Sequence, residues 1–152
     1  MSKLERETRI DLLKAEYTML QGFYEDIDNR CITIKSWSIS AGLAAIGAGF
    51  VYSELLFLAA VATAFLFWYQ EGYWRGLSFF FSRRILEIEA GIREGEWEEI
   101  VPLQVYDSWE RNFRVHGKQT RAYMLKEPSR MPHLFIMAVG ALLYLLRILG
   151  KL

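Results

Sequence analysis

The chain has 152 residues, of which 53% are hydrophobic, 15% aromatic and 24% charged. Its 18 basic and 18 acidic residues balance, so no net field draws it to nucleic acid or to an acidic substrate. One cysteine, Cys31, and two histidines, His116 and His133, exclude an intramolecular disulfide and offer no ligand spacing for a metal; nothing in the sequence calls for a cofactor.

The apolar residues crowd into Ile32–Trp68 and Leu134–Leu149, leaving charge to the rest. That segregation points to a bilayer as one of the solvents. The N-terminus, MSKLERETRIDLLK, is charged and carries no early apolar run. It does not read as a cleavable secretory signal, so insertion falls to internal segments.

Residues 3–30 lack proline and favour helix. Ile10, Leu13, Tyr17, Leu20, Tyr24, Ile27, Cys31 and Ile34 recur at alternating gaps of four and three, the spacing of a continuous helical seam. Lys14, Glu16, Glu25, Asp26 and Asn29 are expected to face water. No breaker separates this amphipathic helix from the next segment, residues 31–52, so one long helix is expected to enter the membrane. Its apolar part reaches about 33 Å, enough for hydrocarbon of about 30 Å. Lys35 lies one turn inside, where a long side chain can snorkel to the headgroups, and Trp37 is an interface anchor.

Ser53 and Glu54 form a short polar turn before a second apolar segment, residues 55–72, which ends in WYQEGYWR. So short a turn makes the two spans antiparallel. Residues 73–94 continue as a cytoplasmic helix: Trp74, Leu77, Phe81, Ile85, Ile88 and Ile92 share a stripe, with Arg83, Arg84, Glu87 and Arg93 off it, and Gly95 ends it. Residues 95–130 are broken at Pro102, Gly117 and Pro128, with a short helix capped by Asp107 or Ser108. Their basic residues and Trp109, Phe113 and Tyr123 suit either a segment resting on anionic headgroups or a solvated connector packed on the stalk. Residues 131–150 are a third span, with Pro132 in its first turn and Arg147 near its end.

The fold expected is an all-α integral membrane protein in a single membrane domain, residues 1–152. It comprises an antiparallel transmembrane helical hairpin continued by a cytoplasmic helical stalk, plus a third, C-terminal transmembrane helix. Six basic residues precede or open the first span (Lys3, Arg6, Arg9, Lys14, Arg30, Lys35), ten lie between the second and third, and the hairpin turn has none. The positive-inside rule then places the N-terminus and the middle segment in the cytoplasm.

Several residues are candidates for function. In the first span Ser38, Gly42, Ala45 and Gly49 belong to overlapping small-xxx-small patterns that let helix backbones approach, either within one chain or in a homo-oligomer. Glu71 and Arg75 stand at i, i+4 near the depth of Lys35. The three form either an interfacial ion-pair cluster or, in an oligomer, a charged pore mouth. Enzyme chemistry is not expected: Asp107, His116 and Ser108 make a triad only on paper, without a nucleophile elbow or phosphate loop. His116 reads as an exposed loop residue, His133 as a headgroup contact, and Cys31 as seam packing.

The runs Asp28-Asn29-Arg30, Thr33–Ser38 and Glu71–Trp74, together with Pro102–Trp109, resemble a set of small bacterial inner-membrane proteins. The layout, a helix then a hairpin then a helix, is similar to the SLATT two-span effector domains of bacterial conflict systems. That resemblance implies the inner membrane and pore formation on a partner's signal; the third apolar segment is an addition to it, and no site residue transfers. Two functions fit: an oligomeric pore or channel, serving bacterial defence in the manner the resemblance implies, and a membrane-anchored interaction subunit whose stalk meets a cytoplasmic protein without conduction. Membrane lipid and further copies of the chain are the partners expected, and nucleic acid is not.

Overall fold

The computed structural model describes residues 3–152, with side chains from Glu5 onward. Met1, Ser2 and the side chain of Lys3, which entered the charge count above, lie outside the described residues. Helices and their connections account for the described residues, with no strand among them. The helix α1, Lys3–Val51, runs 49 residues without interruption, about 74 Å at 1.5 Å per residue. The helix α2, Leu55–Glu94, has 40 residues and is about 60 Å long. Between them the Ser53 hydroxyl accepts from the Leu55 N–H at 3.3 Å and the Ser53 carbonyl from the Leu56 N–H at 3.0 Å. The two helices pack side by side in opposite directions: Gly49 meets Phe57 near the turn, and Glu16 meets Arg84 far from it.

Gly95 ends α2 with φ +79°, and the Glu96 N–H returns to the Gly91 carbonyl at 2.8 Å. Only a residue at ease in the left-handed region closes a helix this way. Two short helices follow, α3 (Val105–His116) and α4 (Thr120–Met124), and then α5, Glu127–Ile148. The last begins four residues before the expected Met131, because Pro128 occupies the first turn, where a missing N–H costs nothing. Pro132 falls inside the helix instead.

Three helices, α1, α2 and α5, contain stretches long and apolar enough to cross a membrane, with mean hydropathies of 1.3, 1.4 and 1.7. Only 28%, 28% and 17% of those stretches is buried in the protein. Most of their apolar surface, Leu43, Leu66, Phe135 and Leu142 among it, points outward.

Two apolar cores result. One, among the apolar stretches, gathers Ile46, Phe57, Ala60, Ala64 and Ile136. Small residues bring the helices close there: a Cβ on Gly140 would lie 2.9 Å from the Phe57 carbonyl oxygen, and one on Gly42 2.6 Å from Ile136. The second core, between the far ends of α1 and α2, gathers Leu20, Ile85 and Ile88 beneath Tyr17, Phe81, Ile100 and Val105. Tyr24 and Ile92, expected on the seam and stripe, are exposed.

Two charged residues, Glu16, expected to face water, and Arg84, expected off the apolar stripe, lie inside. Glu16 is fully buried and receives the Arg84 guanidinium, also buried, at 2.8 and 3.3 Å. Burial by itself would lower the Arg84 pKa, but hydrogen bonds to Glu16 and Glu87 outweigh it and raise the pKa, so the group stays charged. The pair also holds the connection after α2. Arg84 donates to the Val101 carbonyl at 2.7 Å, and the Leu103 N–H donates to Glu16 at 2.7 Å. Leu103 adopts φ +62°, unfavourable for a branched side chain, and that hydrogen bond offsets the strain. Arg9 clamps the same loop through the Ile100 carbonyl at 2.6 Å.

Removing one partner of such a pair strands the other. Glu16→Leu is expected to cost about 3–5 kcal/mol in unfolding from detergent micelles, whereas Glu16→Leu with Arg84→Met recovers most of that loss. Equal losses in the single and double variants would contradict this picture.

A buried serine–histidine–glutamate layer

Between the two cores lies a polar layer to which three helices contribute. On α1, Asp28, Cys31, Lys35 and Ser38 follow one another at three and four residues and so share a face. On α2, Glu71 and Arg75 stand one turn apart, and on α5 Ser129 and His133 do the same. The faces converge. Ser38 Oγ is 2.8 Å from His133 Nδ1, and His133 Nε2 is 3.0 Å from Glu71 Oε2. The other carboxylate oxygen, Glu71 Oε1, takes Arg75 Nε at 2.7 Å and Lys35 Nζ at 3.2 Å. Arg75 Nη1 reaches on to Asp28 at 3.2 Å. Ser38, Glu71 and His133 are each 0% exposed.

A carboxylate can only accept, so the His133 Nε2–H donates to Glu71, while Nδ1 shares a second hydrogen bond with the Ser38 hydroxyl. Two cations, Lys35 and Arg75, then balance two anions, Asp28 and Glu71. Each of the two Glu71 oxygens has a donor, the condition under which an ion is tolerated away from water. Burial pulls the Arg75 pKa down, yet its hydrogen bond to Glu71 prevails and raises it.

Lys35, Glu71 and Arg75 thus come together, but Glu71 is sealed rather than presented. Lining a water path would require it to leave three partners. His133 does not contact headgroups as its place beside Pro132 suggested; it sits at the centre of the layer, joining α5 to α1 and α2. Its signal lay in spacing: Ser129, His133, Ile136 and Gly140 fall at four, three and four residues, and all are buried. Serine, histidine and glutamate in series are the ingredients of a nucleophilic relay. Here all three side chains are closed over, and no opening reaches the Ser38 hydroxyl.

Ser38, Gly42, Ala45 and Gly49 lie along the face of α1 that α2 and α5 cover: Ser38 on His133, Gly42 on Ile136, Ala45 on the core, Gly49 on Phe57. The chain's own helices fill that surface. Ser40, Ala44 and Gly47, on another face, are exposed. Cys31 is a buried free thiol on the seam. Among the described residues no group of His, Cys, Asp and Glu is arranged to hold a metal.

In residues 105–126 Trp109, Phe113 and Tyr123 turn toward α2, and Lys126 lies over the outer face of Tyr123, 3.6 Å from the ring centroid. Trp109 and Phe113 stack on each other at 5.1 Å and meet Phe80 of α2, while Tyr123 meets Phe79. The Trp68 indole N–H donates to the Met124 carbonyl at 2.9 Å, and α4 lies over Gly72 and Gly76. Arg111, Arg114, Lys118, Arg121 and Lys126 face outward. His116 is exposed, edge-on to Phe79; it, Asp107 and Ser108 form no triad, since Ser108 bonds Asn112 and Asp107 pairs with Arg111.

Comparison with protein-family models, with curated proteins and with solved structures finds no match to this chain.

The layer should behave as one unit. In a double-mutant cycle, Ser38→Ala and His133→Leu are expected to couple by about 0.5–3 kcal/mol, since either change leaves the other's polar atom buried without a partner. Strict additivity in unfolding free energy would show that the two do not act together.

Proposed function

We propose that the protein is a membrane-anchored interaction subunit. Three helical spans, residues 31–52, 55–72 and 131–148, hold a two-helix stalk on the cytoplasmic side, the side that the basic residues favour. The observation that carries this reading is a groove of about 520 Å³ between the far ends of α1 and α2, walled by Ile10, Leu13, Ile88, Ile92 and Trp97. It lies beyond the apolar stretches, where an uncovered apolar surface is a candidate for a protein contact. Lys14 and Arg93 stand at its rim, and the acid there, Glu89, already accepts from the Tyr17 hydroxyl at 2.8 Å. An amphipathic helix with an acidic flank has the matching chemistry.

A second reading, an oligomeric pore of the SLATT-like kind serving a bacterial conflict system at the inner membrane, draws on the exposed small residues Ser40, Ala44 and Gly47. They offer a second copy of the chain a close approach. A water path would then run between copies, away from Glu71.

Native mass spectrometry in detergent, bilayer recording and photo-crosslinking from position 92 separate the two. The anchor reading expects a protein without unitary conductance whose cytoplasmic crosslink disappears with Ile10→Glu. A conducting ring, or a crosslink indifferent to that substitution, contradicts it. Ile85 and Ile88 are unsuitable for this test, being core residues.

A further inference from the structure

A second cleft opens between α1 and α2 at the level of the polar layer but on the outer surface, about 460 Å³ in volume. Asp26, Arg30, Thr33 and Trp37 of α1 and Gln70 and Trp74 of α2 line it. The Arg30 guanidinium lies over the Trp74 ring, 5.1 Å from its centroid. A guanidinium positioned over an indole face keeps its N–H groups free to grip two oxygens of a phosphate. Asp26 stands one turn from Arg30, in the position for a helix ion pair, yet the two do not pair, and among the described residues neither has another ion-pair partner. An unpaired cation and an unpaired anion therefore border the same cleft.

Their order along α1 matters. From the apolar stretch outward come Trp37, then Thr33 and Arg30, then Asp26: an apolar wall, hydrogen-bonding groups with a cation, and an anion. Trp37 is 59% exposed, free to meet an acyl chain or a glycerol ester. A phospholipid presents the complementary series in the same direction: acyl chain, phosphate, and then, where the headgroup carries one, an ammonium.

We propose that this cleft is a binding site for a membrane phospholipid with a primary-amine headgroup. Arg30 takes the phosphate and Asp26 the ammonium. Gln70 supplies an amide to the ester region. The proposal rests on the membrane reading above, since the cleft must lie at the cytoplasmic headgroup level. An ammonium donates three hydrogen bonds that a quaternary amine cannot, and a glycerol headgroup has no cation for Asp26. Amine lipid should therefore bind in preference to both choline and glycerol lipids.

The test is native mass spectrometry of delipidated protein in detergent, titrated with phosphatidylethanolamine, phosphatidylcholine or phosphatidylglycerol of matched chains. Arg30→Gln is expected to weaken phosphatidylethanolamine binding about tenfold, the loss of one charge-assisted contact. Asp26→Asn is expected to erase the preference over phosphatidylglycerol while leaving phosphate binding in place. Equal binding of the three lipids, or an Arg30→Gln variant that binds as the parent does, overturns the proposal. Displacement of the lipid by inorganic phosphate alone, at concentrations equal to the lipid's, also overturns it and marks the cleft as a simple anion site. Vesicle flotation of the same preparation keeps the premises apart. Protein that fails to float refutes the membrane reading, whereas protein that floats without lipid preference refutes only the headgroup site.

Discussion

Glu71 is the group on which the arrangement of the helices depends. A carboxylate without access to water is tolerated only where donors surround it, and its three donors, Lys35, Arg75 and His133, come from three different helices. The demand of one buried charge thus fixes how α1, α2 and α5 meet. Apolar packing alone would allow these helices to slide, because one leucine or alanine contact resembles the next. The interlocking Ser38–His133–Glu71 contacts admit one register.

The rest of the molecule distributes itself around that layer. On one side small residues let three helices approach closely, Gly140 against the Phe57 carbonyl oxygen and Gly49 against the Phe57 ring. On the other side α1 and α2 continue together as a stalk, where a second buried pair, Glu16–Arg84, fixes the register again and holds the loop through Leu103 in place. The two charged sites sit at different levels of one helix pair. Between them Cys31 and Ile34 continue the buried seam. Much of the apolar surface that the packing leaves uncovered lies along the three stretches long and apolar enough to cross a membrane.

Much of this was legible in the sequence where period and polarity pointed the same way. The seam from Leu13 to Ile34, interrupted only at Tyr24, the short turn at Ser53 and Glu54, and the glycine stop at Gly95 each follow from local chemistry. The buried residues misassigned are those where period and polarity disagree. Glu16 lies three residues after Leu13 and four before Leu20, squarely on the seam, yet its charge suggested water. Arg84 stands four residues after Phe80 and four before Ile88, and His133 between Ser129 and Ile136. In each case spacing was the better guide, because a charged or polar side chain can be buried when its partner is buried too. What no spacing reveals is the identity of that partner. His133 is 95 residues from Ser38 and 62 from Glu71, and the left-handed turn at Leu103 has no glycine to announce it.

The central claim is that the outward apolar faces of α1, α2 and α5 are turned to lipid around a sealed polar layer. Spin labels at positions 43, 66 and 135, introduced as single cysteines on a Cys31→Ser background in lipid nanodiscs, test it most directly. Collision with dissolved oxygen should exceed collision with a water-soluble nickel chelate at all three positions, and the order should reverse for a label at Glu25 on the stalk. Nickel collisions dominating at positions 43, 66 and 135 would place those faces in water and contradict the claim.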